Sequence, residues 1–153
     1  MPYAEWAAVT RDLASALECL DDGDFLILGE STSALGPRRG LFGRPPKPAA
    51  TRYVQVLRVD EVLSAECVGA CALGGTWSMD DATIGRLTGM GWLTPAESCA
   101  AYGRITPNFE LYAELHASTA LTDLMVASLA VLGAHPGALV LQSSSGGLRA
   151  VSG

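Results

Sequence analysis

The sequence has no long apolar run, although 49% of its 153 residues are hydrophobic. Its longest strongly apolar stretch, Leu124 to Ala134, is interrupted by Ser128 and Gly133. It falls well short of the roughly 20 residues that a membrane-spanning helix needs. The first residues do not place a basic segment before an apolar one, so no secretory signal is predicted. We therefore expect a cytoplasmic protein that does not bind membranes.

The spacing typical of metal sites is also missing. None of the four cysteines belongs to a CxxC pair, and neither histidine lies near a cysteine in the sequence. A structural zinc site usually shows paired ligands at short spacing, so neither a metal nor another cofactor is expected. The four thiols are interpreted as small core residues of a chain kept in a reducing compartment.

Signatures of catalysis and of phosphate binding are absent. The chain contains neither a GxxxxGK[ST] phosphate loop nor a GxSxG nucleophile elbow. Glu110, Glu114 and His116 are close in sequence, but one histidine beside two carboxylates is typical of a solvated surface cluster. Cys99 has no histidine nearby that would activate it as a nucleophile. The sequence predicts a protein that is not an enzyme.

The charge is acidic, with a formal net value of −6 at pH 7. A phosphate backbone would be repelled by most of such a surface, so we do not expect a nucleic-acid partner. The positive charge is uneven, because four of the ten basic residues fall within the segment Arg38 to Lys47. This segment either attracts an acidic peptide or is a solvated linker, and both alternatives stay open.

The apolar periodicity predicts an α+β domain with the order helix, three strands, helix, one or two strands, helix. Helices packed on one side of an antiparallel sheet follow from this order. The stretch from Ala96 to Ile105 is left without an assignment. The predicted elements are a helix from Trp6 to Leu20, strands over Phe25–Leu28, Thr51–Val59, Val62–Gly69 and Phe109–His116, helices over Ser78–Met90 and Ser118–Leu132, and a last short strand over Ala138–Leu141. For Phe109–His116 a helix that pairs Glu110 with Glu114 stays open as the alternative.

One domain is predicted over residues 1–142, followed by a loose Ser/Gly-rich tail at 143–153. An irregular Pro/Gly/Arg-rich insertion interrupts the domain at 31–50, where Pro45, Pro46 and Pro48 exclude a regular strand or helix. Leu41 and Phe42 within it either pack back onto the domain, covering its binding face, or are displayed to a partner.

Both faces of the predicted hairpin are partly apolar, so one face is available to something other than the helices. The hypothetical partner-binding residues are Tyr53, Gln55 and Leu57 on this hairpin, together with Arg38, Arg39, Leu41, Phe42 and Arg44 of the insertion. Trp6, Trp92 and Phe109 sit at junctions of helices and strands and are assigned to the core.

Scattered positions from Glu5 to Leu139 carry a family resemblance. They are Trp6, Tyr53-Val54-Gln55, Ala65-Glu66, Leu87, Gly91-Trp92, Pro95, Asn108-Phe109 and His135-Pro136. This set resembles the YbjN-like and actinobacterial TY-Chap families, which have the small α+β fold of type III secretion chaperones. The resemblance implies a non-enzymatic chaperone-like or adaptor domain, often a homodimer, that holds a peptide segment of a partner such as a secreted or toxin-related protein. The alternative is an immunity or regulatory module that binds one folded partner.

Overall fold

The computed structural model describes residues 2–30, 51–144 and 146–150, with side chains described for 5–30 and 51–144. The helices are α1 (Pro2–Glu18), α2 (Asp81–Gly89), α3 (Pro95–Tyr102) and α4 (Ser118–Val131). The strands are β1 (Phe25–Glu30), β2 (Tyr53–Val59), β3 (Val62–Cys67), β4 (Phe109–Glu114), β5 (Leu139–Ser143) and β6 (Gly146–Ala150).

The strands form one sheet in the order β4-β3-β2-β1-β5-β6, and every neighbouring pair is antiparallel. Buried and partly exposed side chains alternate along the central strands, as expected when only one face of a sheet meets the core. The predicted α+β class with an antiparallel sheet is confirmed.

Helices α1, α2 and α4 cover one face of the sheet. Helix α4 contacts β2, β3 and β4, and α1 and α2 both pack against α4. Their apolar residues share one cluster with the inward side chains of the strands. The buried members of this core include Val9, Leu13, Leu87, Met125 and Leu129 from the helices and Leu28, Val54, Val56, Leu63 and Ala65 from the sheet.

Helix α3 is the element that the sequence left unassigned, and it lies against β4. Thr94 accepts a hydrogen bond from the Glu97 amide, and Glu97 accepts one from the Thr94 amide, so the helix begins with a capping box. Pro95 occupies the first turn, where its missing N–H costs nothing. The start of this helix is therefore encoded by its cap and not by apolar periodicity.

Regular structure also continues into the Ser/Gly-rich segment where a loose tail was predicted. Strand β6 pairs with β5 through Val140–Ala150, Leu141–Arg149 and Ser143–Gly146. The exposed edge of β5 offers unpaired backbone groups, and pairing them stabilises a strand whose own composition is unfavourable. The insertion at 31–50 lies outside the described residues.

The two strand ends that flank this insertion are held together. The Glu30 amide donates to the Arg52 carbonyl at 3.0 Å, and the Arg52 amide donates to Glu30 Oε1 at 2.9 Å. The Arg52 guanidinium also donates to the Gly133 carbonyl at 2.8 Å and lies 4.5 Å from the ring centre of Trp77. The ends of β1 and β2 are thus joined to each other, and Arg52 also ties them to Gly133 and Trp77.

Candidate functional site

The sheet face opposite α1, α2 and α4 is called the open face below. Strand register places Tyr53, Gln55 and Leu57 on it, because they alternate with the buried Val54 and Val56. Gln55 lies opposite Ile27 and Glu66, and Leu57 lies opposite Phe25 and Ser64. The three predicted hairpin positions therefore share one surface. The predicted insertion residues, Arg38, Arg39, Leu41, Phe42 and Arg44, lie outside the described residues.

Four apolar side chains form a contiguous patch on the open face, next to the turn between β2 and β3. Phe25 pairs with Leu57, Val59 pairs with Val62, and Leu57 precedes Val59 by two residues on β2. Their exposed fractions are 38% for Phe25, 40% for Leu57, 49% for Val59 and 41% for Val62. An exposed apolar cluster of this kind commonly marks an interaction surface. We call these four residues the hairpin-end patch.

The opposite end of the open face is polar and closed by the protein itself. The Gln55 side-chain Nε2 donates to Glu66 Oε2, and the Thr106 hydroxyl donates to Glu66 Oε1 at 3.3 Å. The Asn108 side-chain Nδ2 donates to the Tyr53 hydroxyl at 3.1 Å. Burial raises the pKa of Tyr53, so its phenol stays protonated at neutral pH. Because the polar groups of Gln55 and Tyr53 already have partners, the surface open to a ligand is the hairpin-end patch.

Glu110 is a fully buried carboxylate within this polar region. It lies opposite Glu66 in the β3–β4 register, and its Oε1 is 3.1 Å from Nη2 of Arg104. The Tyr112 hydroxyl donates to Oε2 at 3.3 Å, and the ring of Tyr102 packs edge-on against that of Tyr112 at 4.8 Å. The cluster thereby fixes the chain that follows α3 onto the sheet.

A model of one protein family matches residues 3–145, which is most of the chain. Its description reads T3SS (YopN, CesT) and YbjN peptide-binding chaperone 3, or TY-Chap3. This chain belongs to the TY-Chap3 family. The resemblance drawn from the sequence is thereby confirmed, and the domain is of a peptide-binding, chaperone-like type. Searches among curated proteins and among solved structures each returned no match.

The three residues considered for acid–base chemistry do not meet in this TY-Chap3 domain. Glu110 is buried against Arg104 and Tyr112, whereas Glu114 and His116 pair with each other at 3.1 Å. The side chains of His116 and Glu114 are 80% and 73% exposed, so their pair is solvated. Within the described ranges, no group of three or more His, Cys, Asp or Glu side chains could hold a metal ion.

The thiols differ from the prediction. Only Cys67 is buried, whereas Cys19, Cys71 and Cys99 are exposed, so the assignment of all four to the core is wrong for three of them. Cys67 faces inward because it follows Ala65 by two residues on β3, and residues two apart on a strand lie on the same face, here the core side. Burial raises the pKa of its thiol to about 12. All four cysteines are free.

The aromatic residues assigned to the core occupy junctions between elements. Trp92 is 1% exposed, Phe109 is fully buried, and Trp6 is partly buried against the core cluster. The Trp92 indole donates to Ser128 Oγ at 2.8 Å, and Ser128 in turn donates to the Leu124 carbonyl at 2.7 Å. This chain of hydrogen bonds lets a polar ring edge sit in the core without an unpaired donor.

Sequence reasoning named Leu57 but missed Phe25, Val59 and Val62. Phe25 was assigned to a buried strand, and Val59 and Val62 were treated as ordinary hairpin residues. The alternation from Leu57 to Val59 was a usable signal, since both positions fall on the side opposite Val56. Their cross-strand partners follow only from the register, which the sequence did not provide.

Among the described residues, no helix is long and apolar enough to cross a membrane.

Proposed function

We propose that this TY-Chap3 domain holds an extended apolar segment of a partner protein on its open face, at the hairpin-end patch, without catalysing a reaction. The observation that carries the proposal is the group of four half-exposed apolar side chains on a face that α1, α2 and α4 do not cover. The solvent face of an antiparallel sheet normally carries polar side chains. Membership in a peptide-binding family supports a peptide as the missing cover.

The patch alone supports weak, reversible binding. Fully burying a large apolar side chain contributes about 1.5–3 kcal/mol, so covering the remaining two-fifths or so contributes on the order of 1 kcal/mol each. Four such side chains give roughly 4 kcal/mol before the loss of translational and rotational freedom on association is subtracted, so the patch alone binds no more tightly than a Kd of about 1 mM. Tighter binding requires further contacts, such as main-chain pairing, or two linked sites in a homodimer. A homodimer in the cytoplasm is part of this proposal.

A photocrosslinking amino acid at position 57 tests the proposal in cells. Ala127 is the matched control position, because it is exposed on α4, and α4 packs on the other face of the sheet. We expect a specific crosslinked partner from position 57 and none from position 127. Equal crosslinking from both positions, or from neither, would reject the open face as the binding surface.

The crosslinked segment then separates the chaperone from the alternative role. A synthetic peptide that spans this segment should bind the purified chain, and Leu57→Ser should weaken that binding. An immunity or regulatory module would instead bind only the intact, folded partner. Binding of the isolated peptide therefore supports client holding, and binding of the folded partner alone supports the alternative.

A further inference from the structure

Five carboxylates border the hairpin-end patch at the end of the sheet. Asp24 directly precedes Phe25, Asp60 and Glu61 form the turn between Val59 and Val62, and Glu114 lies opposite Val62 on β4. Asp22 Oδ1 accepts a hydrogen bond from the Asp60 amide at 2.7 Å, so the turn before β1 contacts the hairpin turn. We call this set the acidic arc: Asp22, Asp24, Asp60, Glu61 and Glu114.

The described part of the chain leaves most of this negative charge without a cation. The Arg58 guanidinium donates to the carbonyls of Leu20 and Asp60 at 2.6 and 3.0 Å, and forms no ion pair with a carboxylate of the arc. His116 pairs with Glu114. The other four carboxylates of the arc form no ion pair within the described residues. An apolar surface whose border carries a net negative charge is complementary to a segment that is both apolar and basic.

We propose that the partner segment alternates apolar residues with lysine or arginine, an inference that rests on the proposed function. Leu57 and Val59 are two residues apart on one strand, which is about 7 Å. Side chains i and i+2 of an extended peptide have the same separation, so they match these two positions. The intervening and flanking side chains then point away from the patch, and a lysine or arginine at these positions reaches back past the peptide backbone to the acidic arc on its long, flexible stem.

Other occupants fit this surface less well. A second copy of the chain seated patch to patch would bring two acidic arcs together, and like charges across an interface oppose association. Nucleic acids and anionic lipid surfaces are repelled for the same reason. The sequence suggested an acidic client attracted by the insertion; the described surface beside the patch favours a client of the opposite charge.

Three short peptides test the inference with the full chain. Each is a fluorescent ten-residue peptide with the core X-Leu-X-Val-X, where X is Lys, Ser or Glu, between neutral flanks. We expect the Lys peptide to bind about tenfold more tightly than the Ser peptide in 50 mM salt, and the Glu peptide not to saturate. The preference should shrink at 300 mM salt, because screening weakens exposed charge pairs.

Matched variants locate the binding. Asp60→Asn/Glu61→Gln removes two charges of the acidic arc, and asparagine tolerates the positive φ of 54° at position 60. This double variant should weaken the Lys peptide about 3- to 10-fold at low salt and leave the Ser peptide unchanged. The control Asp123→Asn neutralises an exposed carboxylate on α4 and should change neither. Thermal melting verifies that each variant is folded.

The outcomes distinguish a failure of the proposed basic character of the segment from a failure of the proposed function. If the Lys and Ser peptides bind equally and Leu57→Ser weakens both, the basic character is rejected and the proposed function stands. If Leu57→Ser affects no peptide and position 57 gives no crosslink in cells, the proposed function itself fails. If the Lys peptide binds only after deletion of residues 36–48, the chain's own segment is the occupant and an external partner is rejected.

Discussion

Trp92 and Ser128 join α4 to the chain that follows α2 through one buried hydrogen bond. Ser128→Ala should destabilise the fold by about 1–3 kcal/mol, because it leaves the indole N–H unpaired in the core. In a Trp92→Phe background the same substitution should cost clearly less, since no indole donor remains. Urea unfolding of the four proteins in a double-mutant cycle measures this coupling. Equal costs in both backgrounds would show that the bond contributes nothing.

Truncation of Trp92 to alanine tests its assignment to the core, because it removes the whole ring and not only one hydrogen bond. Trp92→Ala removes a side chain that is 1% exposed, so we expect a loss of about 3–5 kcal/mol in the free energy of unfolding. Chemical denaturation of the variant beside its parent measures this loss. A variant that unfolds as the parent does but fails to bind its partner would assign Trp92 to the binding surface instead.

Cys67 gives a pH dependence with a defined sign. Its thiol has a pKa of about 12 in the fold, above the ordinary value of 9.0, because burial disfavours the thiolate. The stabilisation that comes from this raised pKa is complete below pH 9. It is lost as the pH rises towards 12, because the thiol of the unfolded chain ionises first. By pH 10.5 the parent should lose about 2 kcal/mol more stability than Cys67→Ala. Urea unfolding at pH 8 and 10.5 measures the difference, and parallel losses would contradict it.

Helix α3 depends on its first turn, because Ser98 is its one buried residue. Thr94→Ala removes half of the capping box and should destabilise the protein by about 1 kcal/mol. Glu97→Gln is the control, since glutamine can retain the reciprocal hydrogen bond. Hydrogen exchange should show faster opening of residues 95–102 in Thr94→Ala alone. Unchanged exchange there would mean that contacts with β4, not the cap, hold the helix.

The insertion is expected to be separable from the domain, because Glu30 and Arg52 anchor its flanking strands directly. Deleting residues 36–48 should leave the melting temperature close to that of the parent. If the segment covers the open face, deletion should raise dye binding and aggregation. If it attracts acidic flanks of a client, deletion should weaken binding at low salt. No change in solubility, dye binding or affinity would reject both ideas.

Elements with strong periodicity were predictable from the sequence. Trp6, Val9, Leu13 and Leu17 recur at helical spacing, and α1 forms there; the β2–β3 hairpin follows from its apolar alternation. Helix α3 was not predictable in this way, because its signal is a cap rather than an apolar stripe. Strand β6 forms because β5 offers it an edge, which local composition does not encode.

The candidate site was predictable only in part, for a related reason. The hairpin pattern placed Leu57 on a surface that the helices do not need. The patch itself depends on which residues face each other across three strands, and register is a tertiary property. The acidic arc likewise joins residues from three separate turns and strand ends, so no local window of the sequence reveals it.

The whole molecule is predicted to associate as a homodimer. Tyr102 and Ile105 are 58% and 97% exposed, so they are the apolar residues we expect in the contact. Light scattering should give twice the chain mass of 15.9 kDa at micromolar concentration, and Ile105→Asp should shift it towards the monomer. A parent that stays at 15.9 kDa would contradict the dimer.

Binding of a client segment on the open face can be observed residue by residue. The experiment is an NMR titration of the isotope-labelled chain with the segment recovered by crosslinking at position 57. We expect the largest amide shift changes on Phe25, Leu57, Val59 and Val62, with few on α1 and α4. Changes confined to the helical face, or no saturable changes at millimolar peptide, would contradict it.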